Sequence, residues 1–161
     1  MKRKLVARAF AIALVVCAAL PALADNSWYQ FQAFNAGDVV IRDNYTRLVW
    51  QRQVAAAAVS PSAATSACQS FSAPGYPSGW RLPSVKELLT LVDEDAHDVF
   101  ENGTLDTKAI SLFAFPNTPS HCFWTSSAAP GGGTDAWAVD FTDGSAEIHH
   151  ASDTCYARCV Q

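Results

Sequence analysis

The stretch YPSGWRLPSVKELLTLVD, residues 76–93, decides how the rest of the chain is read. Pro77, Ser78 and Gly79 make a turn that feeds Trp80 inward, and large aromatic rings dominate core burial. In the run from Leu82 to Glu87, Ser84 is placed to cap a helix. Glu87, three residues on, is placed to reach back, which completes a capping box. Val85, Leu88, Leu89 and Val92 fall on one apolar stripe at helical spacing, so this helix packs on a sheet and leaves Lys86 and Glu87 outside. Arg81, at the helix start, reads as a structural ion pair with Asp93 or Asp140.

Working upstream, Val39, Val40 and Ile41 give residues 38–43 a β-branched strand. Asn44, Tyr45 and Thr46 supply a turn, and residues 47–51 return through Leu48, Val49 and Trp50. The alanine-rich run over 54–59 has no period and reads as a loop. Ser60 and Pro61 then start another helix, a hydroxyl cap followed by a proline whose missing N–H costs nothing there. Ala64, Cys68 and Phe71 lie on one face of it.

Downstream, residues 93–101 read DEDAHDVFE, the densest charge in the mature chain. Several carboxylates in a loop are what a hard cation such as calcium needs, but the fixed spacing of an EF-hand is missing. The expected reading is a solvated acidic loop with no cofactor, in which Asp93, Glu94, Asp95, Asp98 and Glu101 are candidate binding residues. Asn102 and Gly103 make a turn, and residues 105–115 look helical or irregular. A strand follows over 121–126, and Ser126 and Ser127 lead into a flexible tip at residues 130–133, so both are candidate binding residues. Residues 136–141 and 145–150 form a hairpin about Asp143 and Gly144, and a last strand runs over 155–160. Two short helices with mostly antiparallel strands make an α+β domain.

The amino-terminal end bears Lys2, Arg3, Lys4 and Arg8, then an apolar run over 9–20 and Ala22-Leu23-Ala24. This pattern predicts a signal peptide over 1–24, an N-terminal segment over 25–36 and one domain over 37–161, secreted or periplasmic and not inserted in the membrane after cleavage. Val16 sits where a lipoprotein needs a small residue before Cys17. Removing 24 of 161 residues leaves 137, one ordinary core. Seven of the eleven basic residues then face fifteen acidic ones, a net charge of minus eight, which disfavours nucleic acid and anionic membrane surfaces.

Cys68, Cys122, Cys155 and Cys159 remain, and an even number in an exported chain reads as two disulfides with three pairings open. A zinc site from His121, Cys122, His149 and Cys155 is the rival, without the close Cys-x-x-Cys pair that marks such sites.

The ordered set VIRDNYTRLVWQ (40–51), the helix bearing Cys68, GWRLPSVKELLTLVD, FWTSS, AWAVDFTDG and YARCV resembles the Lcl C-terminal domain family. The resemblance covers residues 37–161 and implies a C-type-lectin-like fold. Such folds pair a cysteine of the first helix with one in the last strand, while an inner pair ties a neighbouring strand. By that order Cys68 pairs with Cys159 and Cys122 with Cys155. The calcium-dependent sugar motifs Glu-Pro-Asn and Trp-Asn-Asp of true C-type lectins are absent.

Trp50, Trp80, Trp124 and Trp137 serve the core in this reading, though a flat ring also matches the C–H face of a sugar. Ser126, Ser127, His121, His149 and Asp140 could be drawn into a triad, but no G-x-S-x-G elbow supports it. The expected function is therefore an exported, adhesin-like, non-catalytic module that binds a glycan or a surface protein. Two alternatives stand beside it: an exported enzyme related to the formylglycine-generating oxidases, which need free thiols, and a structural domain that associates with itself as a homo-oligomer.

Overall fold

The computed structural model describes residues 30–33, 38–101 and 103–161, and leaves the side chain of residue 101 undescribed. The expected leader over 1–24 and most of the segment over 25–36 lie outside these residues. The chain order is β1 (Phe31–Ala33), β2 (Val40–Asp43), β3 (Val49–Gln51), α1 (Pro61–Ser70), α2 (Val85–Leu89), β4 (Val92–Glu101), β5 (Thr104–Ile110), β6 (Cys122–Ala128), β7 (Ala136–Asp140) and β8 (Ala146–His149). They form three antiparallel sheets, β1-β2-β3, β4-β5 and β6-β7-β8. Among the described residues this is the expected α+β architecture, mostly antiparallel with two short helices and two disulfides.

The sheet β6-β7-β8 is the centre of the packing. Phe123 and Trp124 are consecutive and so point to opposite faces, yet both are fully buried. On one face Phe123 and Val139 join Ile41, Trp50, Leu88 and Phe141; on the other Trp124 and Ala138 join Ala64, Cys68 and Trp80. The indole N–H of Trp80 donates to Tyr76 O at 2.9 Å and that of Trp124 to Val59 O at 2.7 Å. Trp50, Trp80 and Trp124 are core residues as expected, whereas Trp137 is only half-buried.

Both helix starts form as the sequence dictates. Ser60 caps α1 through Ala63 N, with Pro61 in the first turn, and Ala64 and Cys68 face the core. At α2 both arms of the capping box close: Glu87 N donates to Ser84 Oγ and Ser84 N donates to Glu87 Oε2 at 2.8 Å. The apolar stripe, however, stops early. Leu88 is buried and Leu89 is 39% exposed, because the chain leaves the helix after Leu89 and it is Leu91 that turns inward. Val92 already begins β4.

Three further expectations are corrected. Residues 93–101 are not a loop but β4, paired with β5 from Val92↔Ile110 out to Glu101↔Thr104. Residues 105–110 likewise continue β5 rather than a helix. This two-stranded ribbon has no inner face along its outer half, so nothing forces an apolar/polar alternation on its sequence, and the pattern that marks a strand is missing. The last segment, 155–160, is extended but changes partner at every step. It meets Val59 at Cys155, Phe123 at Tyr156, and both Trp50 and Arg81 at Val160.

That final segment is held by a buried cation. Arg158 is 1% exposed; its guanidinium donates to Gln51 O at 2.8 Å, Arg52 O at 2.9 Å and Thr118 Oγ1 at 2.7 Å. It also lies 4.5 Å from the Phe115 ring centroid, a cation–π contact. Thr118 passes the network on, since its carbonyl accepts from the buried Lys108 Nζ at 2.9 Å, and Lys108 also meets Asp106 at 3.2 Å.

Candidate functional site

The candidate residues of the sequence do not converge on one place. Asp93, Glu94, Asp95 and Asp98 are strung along β4. Asp93 meets His97 Nε2 at 3.3 Å, and Asp98 accepts from the Thr107 hydroxyl at 3.0 Å across the ribbon. Glu101 is at the ribbon's end, paired in register with Thr104. Beside these acids the ribbon exposes an apolar pair, Phe100 and Leu105, which are directly opposite each other.

Ser126 and Ser127 sit on β6 and fasten α2 to the sheet. Ser126 donates twice to Pro83 O, through its N–H at 2.7 Å and its hydroxyl at 3.2 Å, and Ser127 Oγ accepts from Val85 N at 3.0 Å. Arg81 does form an ion pair, but with Glu87 rather than Asp93 or Asp140. The pairing is bidentate, at 2.9 and 2.7 Å, because the reach-back arm of the capping box already brings the Glu87 carboxylate beside the guanidinium. The Arg81 hydrogen bond holds the Glu87 carboxyl down at about 2.

One cleft gathers residues from distant parts of the chain. Its walls are the N-terminal half of α1 (Pro61, Ser62, Thr65), the outer end of β6 (Thr125, Ser126, Ala128) and the loop from Gly133 to Asp135, and its volume is about 530 Å³. Leu82 and Ala136 supply apolar floor. Gly131, Gly132 and Gly133 all take positive φ, backbone that side chains resist, which lets the loop fold back so that Ala129 N reaches Asp135 O at 2.9 Å. Asp135 is fixed in turn by His150 Nδ1 at 2.9 Å and Ala151 N at 3.2 Å. Around mostly apolar walls, the cleft offers a ligand the hydroxyl oxygens of Ser62, Thr65 and Thr134 and one carboxylate, with Thr65 Oγ1 left as an acceptor because its proton goes to Pro61 O at 3.0 Å. Sequence reasoning found the helix start and the glycine loop separately, and it named none of Ser62, Thr65, Thr134 or Asp135. Only the tertiary fold brings them together.

A second, polar cleft of about 330 Å³ opens over the β7-β8 turn, lined by Asp140, Thr142, Asp143, Ser145, Glu147 and His149. The backbone N–H of Ser145 lowers the Asp143 carboxyl below its usual range. Next to it stand Cys122 and Cys155, joined as a disulfide, with Cys68 joined to Cys159. This is the pairing that the resemblance implied. Two disulfides fit an oxidising, extracellular or periplasmic compartment. Among the described residues no helix is long and apolar enough to cross a membrane.

Comparison with known proteins gave one positive finding. No curated protein and no solved structure matches the chain. The model of the Lcl C-terminal domain matches residues 39–161, which takes in β2 through the final segment, both helices and both disulfides. The chain belongs to the Lcl C-terminal domain family.

Proposed function

We propose that this protein is an exported, non-catalytic binding module with a C-type-lectin-like arrangement, and that the cleft between α1, β6 and the 129–135 loop receives a glycan. The observation that carries the reading is the cleft's make-up. A pyranose presents apolar C–H faces and a rim of hydroxyls, and walls of Pro61, Leu82 and Ala136 edged by Ser62, Thr65, Thr134 and Asp135 complement both. The volume suits one or two sugar rings. Support against catalysis comes from the same geometry, since the hydroxyls of Ser126 and Ser127 are spent on Pro83 and Val85. All four mature cysteines are paired, so a thiol-dependent oxidase would lack its free pair. The predicted leader supports export.

The test is a glycan array followed by calorimetry on the mature chain, with Thr65→Arg as the blocked form. Thr65 is exposed, so the long side chain fills the cleft without entering the core. Binding by the parent and at least a tenfold loss in Thr65→Arg is the expected result. Blank arrays alongside substrate turnover, or equal binding by both chains, would refute the assignment.

A further inference from the structure

Cys122, Cys155 and His149 form a group whose ligand atoms all lie within 4.8 Å of one another. Two thiolates and an imidazole are a soft donor set, the kind zinc takes in tetrahedral sites. With the disulfide closed the sulfurs are bonded to each other and cannot serve. We propose that reduction of the Cys122–Cys155 bond converts this corner of the fold into a binding site for zinc, with disulfide and metal as mutually exclusive states.

Three features beyond the donor set support the assignment. His149 Nδ1 stands 3.5 Å from Asp153 Oδ2, near enough for the carboxylate to orient the ring of a metal-binding histidine. His149 is also a wall residue of the polar cleft over the β7-β8 turn, where Asp140, Asp143 and Glu147 give a divalent cation an electronegative approach to the buried sulfurs. Finally, Cys122 and His149 are positioned by sheet register, opposite Asp140 and Ala136 respectively, so neither depends on the disulfide for its place. His121 stands beside the group, its Nδ1 3.1 Å from Cys122 Sγ and accepting from Cys122 N at 2.8 Å. The three grouped donors are Cys122, His149 and Cys155, and in the proposed site water takes the fourth coordination position.

The chemistry balances with a dithiol as reductant. Exchange breaks the Cys122–Cys155 bond, two electrons and two protons pass to the cysteine sulfurs, and the dithiol leaves as its own disulfide. Zinc then displaces the two thiol protons to solvent and accepts a lone pair from neutral His149. Nothing in this depends on the glycan reading.

The experiment uses the mature chain, with zinc alone as the probe and cobalt as its spectroscopic substitute. The double variant C68S/C159S removes the other pair of thiols. After dithiol treatment it should bind one zinc per chain, and with cobalt show thiolate-to-metal charge transfer, whereas the oxidised form should show neither. His149→Ala should weaken binding by at least about tenfold, and Asp153→Asn by about tenfold, the usual effect of losing an outer partner. Far-UV circular dichroism of each form, with and without zinc, separates lost ligands from lost fold. The proposal is overturned if reduced C68S/C159S takes up no zinc, folded or not. It is equally overturned if C122S/C155S, or His149→Ala folded by dichroism, binds zinc as well as the parent.

Discussion

Glu87 serves the helix and the turn before it with a single carboxylate. Its Oε2 closes the capping box on Ser84 N while both oxygens meet Arg81. The carboxyl is a stronger acid in the folded chain, about 2, than its ordinary 4.5. Its stabilisation is therefore complete above pH 4.5 and disappears as pH falls toward 2. Because Arg81 is half exposed, solvent screening leaves about 1 kcal/mol of the pair's contribution. Glu87→Gln should lower the urea midpoint at pH 7 and close most of the gap to the parent at pH 2, and an undiminished gap at pH 2 would assign its cause elsewhere. Arg158 is the opposite case, a cation with no carboxylate partner among the described residues. Burial pushes its pKa down to about 9, yet it stays charged at neutral pH because two backbone carbonyls, the Thr118 hydroxyl and the Phe115 ring replace water. Arg158→Met strands those acceptors and should cost on the order of 3 kcal/mol by urea unfolding. Neither Arg158 nor Lys108 announces itself in the sequence, since a basic residue among apolar neighbours looks the same whether its head is buried or solvated.

At the scale of elements, what could be read was what local chemistry decides. Ser60-Pro61 and Ser84–Glu87 specify helix starts through side-chain acceptors a few residues away, and both starts stand where those residues put them. The β7-β8 turn at Asp143 and Gly144 is likewise local, with Asp140 N bonded to Ser145 O at 2.8 Å. What could not be read was decided by distant packing. The ribbon β4-β5 shows no strand period because its outer half has no buried face. The cleft is invisible because its walls are about 70 residues apart in sequence, from Ser62 to Thr134. Gly144 shows the two levels meeting. Its φ of 79° suits a turn, but a methyl group there would also lie 2.5 Å from Val92 Cγ1, where α2 gives way to β4. Gly144→Ala should therefore cost about 2 kcal/mol, more than backbone strain alone, and Val92→Ala should recover part of that loss in a double-mutant cycle. Additive costs would show that the turn and the ribbon base are independent. The ribbon's outer residues should behave differently: Phe100→Ser and Leu105→Ser should stay within about 0.5 kcal/mol of the parent in thermal unfolding, since both side chains are mostly in solvent.

For the whole molecule, the final segment is what ties the β1-β2-β3 sheet to the β6-β7-β8 sheet. It bonds to Val49 and Gln51 of β3, to Arg81 ahead of α2, and to Cys122 and Trp124 of β6, so it joins two of the sheets directly. Both disulfides end on this segment, at Cys155 and Cys159, and they differ in what they close. The Cys68–Cys159 bond spans 91 residues and Cys122–Cys155 spans 33. In the chain-entropy account these remove about 4.6 and about 3.7 kcal/mol of unfolded-state freedom, a gap of only about 0.9 kcal/mol. Packing acts in the same direction. The outer bond fixes α1, whose buried face is only Ala64 and Cys68, whereas Cys122 is already held in the β6-β7 ladder opposite Asp140. Removing the outer bond should therefore both loosen the unfolded chain and release a helix with little else to hold it. In parallel urea titrations C68S/C159S should unfold at the lower midpoint, by clearly more than the entropic gap, and should lose the protection of the α1 amides in hydrogen exchange. An equal or higher midpoint than C122S/C155S would mean that α1 is held by its own packing and that the inner bond, at the end of the polar cleft, carries the fold.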